Sequence, residues 1–144
     1  MCLAATTGFR SSPSAASDAR HWISDHLHRW DIDEVRDTAM LLSSELVTNA
    51  VVHASSATEV SMAIVDGALE VSVSDSEPQV ATLLLRRHPG RATRADQQTI
   101  REGGRGLFVV AALADSWGAC VTDDGKRVWF RLHLQQPARP EPRG

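Results

Sequence analysis

Cysteine is scarce in this chain: Cys2 and Cys120 are the only two among 144 residues. They lie far apart and fit no metal-ligand spacing, which argues against a disulfide-stapled fold and a cysteine zinc site; both are expected to be reduced thiols. Lysine is scarcer still, with Lys126 the single one among 15 Lys and Arg residues. A P-loop needs a lysine followed by Ser or Thr after its glycines, and none stands there. No apolar run reaches the ~20 residues that span a bilayer; the longest, LFVVAALA at 107–114, reads as a buried helix. The opening MCLAATTGFR lacks a basic start followed by an apolar block, so a secretory signal is not expected and a cytoplasmic location is. A net charge of −3 gives no general attraction to nucleic acid or to an anionic membrane. No nucleophile elbow or Ser-His-Asp arrangement supports covalent hydrolysis.

What is present describes one folded domain. Hydrophobic residues make up 42% and charged residues 23%, ordinary values for a globular chain. Residues 1–16 read as an N-terminal segment with a short strand ending near Phe9 and a Ser/Pro/Ala linker. From Ser17 the pattern turns helical, with Trp22, Ile23, Leu27 and Trp30 at helical spacing over about 17–30. A second helix runs over 35–54, which contains no Gly or Pro. Two runs of period-two alternation then flank Asp66-Gly67: Val60, Met62 and Ile64 share one face, as do Leu69, Val71 and Val73. A similar hairpin follows a short apolar helix near 106–115: ACVT, the turn DDGK, and RVWFRLHL, in which Val128, Phe130, Leu132 and Leu134 alternate. The Pro-rich tail at 135–144 is expected to be disordered. These elements predict an α/β two-layer sandwich, its helices covering one face of a mixed, mostly antiparallel sheet.

Four features carry possible chemistry. The stretch SSELVTNAVVHA at 43–54 spaces Glu45, Asn49 and His53 four apart, stacking a carboxylate, an amide and an imidazole along one helix face. Asp75 has the parity of Leu69, Val71 and Val73, so a straight strand turns its carboxylate to the buried side, where it needs donors; a bend at the strand end is the alternative. EGGRGL places Gly103, Gly104 and Gly106 before an apolar helix, leaving backbone amides open to an anion, although for a lone GGxG a flexible hinge into the helix is the better reading. The segment 79–105 carries Arg86, Arg87, Arg91, Arg94, Arg101 and Arg105 against Asp96 and Glu102, the composition of either a solvated loop or an anion-binding lid. His21, His26 and His28 with Asp25 fit no common metal motif and read as an exposed helix face.

In order along the chain, ELVTNAVVHA, a strand ending in Asp75, a long lid and GGRGL opening a helix resemble the nucleotide site of the GHKL ATPase superfamily, which includes gyrase and the histidine kinases. The form E-x-x-x-N-A-x-x-H is closest to bacterial anti-sigma-factor serine/threonine kinases, and the resemblance covers about 17–134. It implies the Bergerat ATP-binding fold, with ATP and Mg²⁺ as cofactors. It assigns Asn49 to the metal, Glu45 as the base that takes a proton from an attacking hydroxyl, and Asp75 as acceptor from the adenine amino group. The amides around Gly103, Gly104, Arg105, Gly106 and Leu107 would hold phosphates, His53 would hydrogen-bond in the pocket, and 79–105 would be the lid. The implied partners are a sigma factor and an antagonist (anti-anti-sigma) protein, with a homodimer possible. Two positions depart from the pattern: Glu77, followed by Pro78, stands where the family has Gly, and Val52 where a Lys often precedes the His. They favour a second reading, an ATP-binding switch that regulates a partner without turnover.

Overall fold

The computed structural model describes residues 3–53, 57–76 and 105–135, without the side chains of 52–53 and 105–108. In chain order its elements are β1 (Ala4–Phe9), α1 (Ala15–Arg29), α2 (Arg36–His53), β2 (Thr58–Val65), β3 (Ala68–Asp75), α3 (Arg105–Leu113), β4 (Ser116–Thr122) and β5 (Gly125–His133). Of the segment expected to be a lid only Arg105 falls within these ranges, and of the tail only Gln135. Glu77, Pro78, Gly103 and Gly104 lie outside the described residues.

Helix α1 starts two residues before its expected position because alanine extends its buried stripe. Ala15, Ala19, Ile23 and Leu27 recur at every fourth place and are all buried. The hydroxyl of Ser14, at the N-cap, donates to the Asp18 carboxylate at 3.2 Å and makes no bond to a backbone amide. At the other end the Asp31 amide donates to the His28 carbonyl and the Ile32 amide to the Leu27 carbonyl, the crossed pair of a Schellman motif. Ile32 and Leu27, both buried, supply the hydrophobic contact of that motif. The residue at the turn is Asp31, with φ 56°, where glycine is the usual choice. Asp31→Gly is therefore expected to raise stability by about 0.5–1 kcal/mol, read as a higher urea midpoint. A lower midpoint would mean that the Asp31 carboxylate itself supports the turn.

Helix α2 is the central element. It packs on α1, on α3 and on β2 and β3, which accounts for its wide buried arc of Ala39, Leu42, Ser43, Leu46, Val47 and Ala50. The strands form one sheet in the order β1-β2-β3-β5-β4, and every pairing among them is antiparallel. Asp66 and Gly67 have φ 50° and 76°, so the first hairpin closes with both central residues left-handed, as a type I′ turn requires. Its register sets Val60 against Val73 and Met62 against Val71. Continuing across, Val71 faces Phe130 and Phe130 faces Trp117. These side chains join Ile23, Leu27, Leu42, Leu46 and Val110 from the helices in one core, which gives the two-layer α/β sandwich. On the other sheet face Glu70 accepts from Arg127 at 3.2 Å and from Arg131 at 2.7 Å, and the Arg131 guanidinium lies 5.5 Å from the centre of the Trp129 ring.

The second hairpin corrects the expected one at both strands. β4 begins at Ser116, three residues before ACVT, and buries Trp117. Only Asp123 and Asp124 make the turn, because Thr122 already pairs with Gly125. Gly125 and Lys126 therefore belong to β5. Among the described residues no helix is long and apolar enough to cross a membrane.

Candidate functional site

Helix α2 presents the first two candidate side chains. Glu45 and Asn49 are half-buried and lie along one flank of the buried arc, between Leu42 and Leu46 on its core side and the exposed Leu41 and Thr48. One helical turn separates them. His53 is the last residue of α2, and its side chain lies outside the described residues. Because α2 packs on both β3 and α3, this flank sits on the element that joins the strand carrying Asp75 to the helix that follows the glycines.

Asp75 ends β3 with the parity of Leu69, Val71 and Val73, and the strand does not bend away before it. Its side chain is 3% exposed, the remaining exposure of this half-buried residue coming from its main chain. The donor that such a carboxylate needs comes from the protein: Lys126 Nζ donates to Asp75 Oδ1 at 3.0 Å. Lys126 is directly opposite Asp75 in the β3–β5 register, and its side chain is 12% exposed. Sequence reasoning missed it by reading Lys126 as part of a turn. The available signal was parity, since Lys126 alternates with Val128, Phe130 and Leu132, whose side chains are buried.

Gly125 explains how the two strands come so close at this end. A β-carbon there would lie 2.5 Å from Ser76 Cα and closer still to the Asp75 carbonyl oxygen, so only glycine fits. The missing side chain lets the start of β5 close against the end of β3. That contact fixes the register holding Lys126 beside Asp75.

The glycine-rich signal is described only at its far end. Helix α3 begins at Arg105, so Gly106 and Leu107 lie in its first turn. The first four amides of a helix have no intrahelical acceptor, and their partial positive charge suits an anion. Val110, further along, is buried in the core shared with α2.

The rings of His21 and His26 each donate through Nδ1 to a carbonyl one turn back, of Ser17 at 2.8 Å and Trp22 at 3.0 Å. His26 also packs between Trp22 and Trp30. Among the described residues no group of His, Cys, Asp and Glu is placed to hold a metal ion, and Cys120 is an exposed free thiol.

The site's elements are a polar helix flank, a buried carboxylate at a strand end and a helix start after glycines. They occur on a single α/β sandwich in the order the resemblance requires. No curated protein gave a significant match to this sequence. The profile of the histidine kinase-like ATPase domain, however, matches residues 9–132, most of the chain and all five strands in part or whole. The chain belongs to the histidine kinase-like ATPase domain family, and ATP binding goes with that membership.

Proposed function

We propose that this protein is an anti-sigma-factor serine/threonine kinase, which transfers the γ-phosphate of ATP to a serine of an antagonist protein and binds a sigma factor. The observation that carries the reading is the half-buried Glu45–Asn49 pair, one turn apart on the helix that packs on both β3 and α3. A carboxylate and an amide at that spacing suit base and metal-ligand roles beside a phosphate. Asn49 offers a neutral oxygen, a donor suited to Mg²⁺, which prefers oxygen ligands and keeps several waters. Bound there, Mg²⁺ supplies neutralisation of the phosphate charge.

The chain's own residues then divide the work. Glu45 accepts the proton of the attacking serine hydroxyl as the new O–P bond forms and the bond to the ADP oxygen breaks. Asp75 accepts from the adenine amino group. The backbone amides of Gly103, Gly104, Arg105, Gly106 and Leu107 hold phosphate oxygens, and the arginines of 79–105 close over them. His53 hydrogen-bonds in the pocket. A sigma factor and an antagonist protein as partners place this activity in the cytoplasm, and a second copy of the chain is a further partner.

A different outcome of the same site is a switch that binds ATP without turnover. It is supported by Val52 and Glu77 at positions where the family has Lys and Gly, and by the Lys126 ammonium already seated on Asp75.

Calorimetric titration with ATP and Mg²⁺ tests the shared part. Wild-type protein is expected to bind, and Asn49→Ala and Asp75→Asn to bind about tenfold more weakly or worse. Asn49→Ala is the cleaner variant, because Asp75→Asn also removes the carboxylate that pairs with Lys126. A well-folded wild type that takes up no ATP would sink both readings. Binding followed by phosphate transfer to a serine substrate selects the kinase, and binding without transfer the switch.

A further inference from the structure

We propose that Lys126 is a base-reading residue: its ammonium and the Asp75 carboxylate form a donor–acceptor pair that recognises the adjacent ring nitrogen and amino group on the edge of adenine. The inference rests on the assignment of Asp75 to the adenine amino group and adds a second contact to it.

Three observations carry it. The pair is built into the sheet, because Lys126 and Asp75 are cross-strand neighbours with Nζ 3.0 Å from Oδ1. It lies on the inner face, in line with Val73 and Val128 of the apolar core, one pair further toward the end of the strands. It is also held at short range by Gly125, which admits no side chain between the two strands.

A buried ion pair is a poor way to gain stability, since desolvating both charges offsets most of their attraction. A pair of apolar residues at 75 and 126 would continue the Val73–Val128 packing at lower cost, so a role in recognition explains why charges stand there. An ammonium has three N–H donors and a carboxylate up to four acceptor sites, so the single bond between them does not by itself exhaust either group. Adenine presents an amino donor at C6 and an acceptor at N1 side by side. The carboxylate takes the amino hydrogen and the ammonium donates to N1.

The test compares ATP with 1-deaza-ATP, in which a C–H replaces N1, by calorimetry on the full chain. Wild-type protein is expected to bind 1-deaza-ATP about tenfold more weakly or worse, the ordinary effect of losing a hydrogen bond to a charged group. In Lys126→Met, which keeps an apolar stem and loses the ammonium, the two nucleotides are expected to bind equally. If that variant does not fold, Lys126→Ala, which also removes the ammonium, takes its place with the same expectation. Equal affinity of wild type for both nucleotides overturns the assignment and leaves Lys126 as a structural partner of Asp75. Discrimination that persists unchanged in a folded Lys126→Met overturns it as well. Failure of wild type to bind ATP at all overturns the functional reading on which it stands, so the two failures are distinct.

Discussion

Glu45→Ala is expected to slow phosphate transfer to the serine substrate by about 10²–10⁴-fold, the usual contribution of a general base, while ATP still binds. The direction follows from the side chain's position. Glu45 is half-buried on the flank of α2, one turn before Asn49, and is not one of the apolar core residues. Alanine is also the best helix former, so α2 should remain intact. A fall in transfer at unchanged ATP affinity therefore isolates a role in the chemical step. The measurement is single-turnover transfer of labelled phosphate, paired with calorimetry on the same sample. Transfer at the wild-type rate would remove Glu45 from the reaction, and joint loss of binding and transfer would make it a binding residue.

Gly125→Ala should produce the largest change in stability. The new β-carbon would sit within 2.5 Å of Ser76 Cα and closer to the Asp75 carbonyl oxygen, both of them main-chain atoms that no rotamer change can move. One of the two strands has to give way. Forced overpacking of this kind costs about 3 kcal/mol at the upper end of its ordinary range, or a fall of about 10 °C in Tm for a domain of this size. The strand shift would also draw Lys126 from Asp75, so ATP affinity should fall with stability. A thermal melt and an ATP titration of the one variant check both. Full stability would show that the hairpin end adjusts freely, and the rigid register invoked for Lys126 would lose its basis.

Much of the fold was legible because its causes are local. The type I′ turn at Asp66-Gly67 follows from two residues that accept positive φ, and the alternation around it fixes which side chains face inward. Helix α2 was legible in a stretch without Gly or Pro. Where the reading missed, the deciding force came from further away. Helix α1 begins at Ala15 because Ala15 and Ala19 find the core, two residues before the helical pattern that starts at Ser17. Ser116–Gly118 join β4 because Trp117 is drawn in against Phe130, a contact that the sequence around Trp117 does not announce.

The candidate site divides along the same line. The sequence by itself determined that Glu45 and Asn49 share a helix face and gave Asp75 the inward parity, since both statements need only the 3.6-residue and two-residue periods of helix and strand; that the strand stays straight to Asp75, with no bend at its end, came from the structure. It also carries the family, whose profile it matches over residues 9–132. Only the tertiary structure decided what stands opposite Asp75. Strand order β1-β2-β3-β5-β4 brings residue 126 beside residue 75 across a separation of 51 positions. That pairing depends on strand closure and on the room left by Gly125, which are properties of two segments meeting and cannot be read from either one alone.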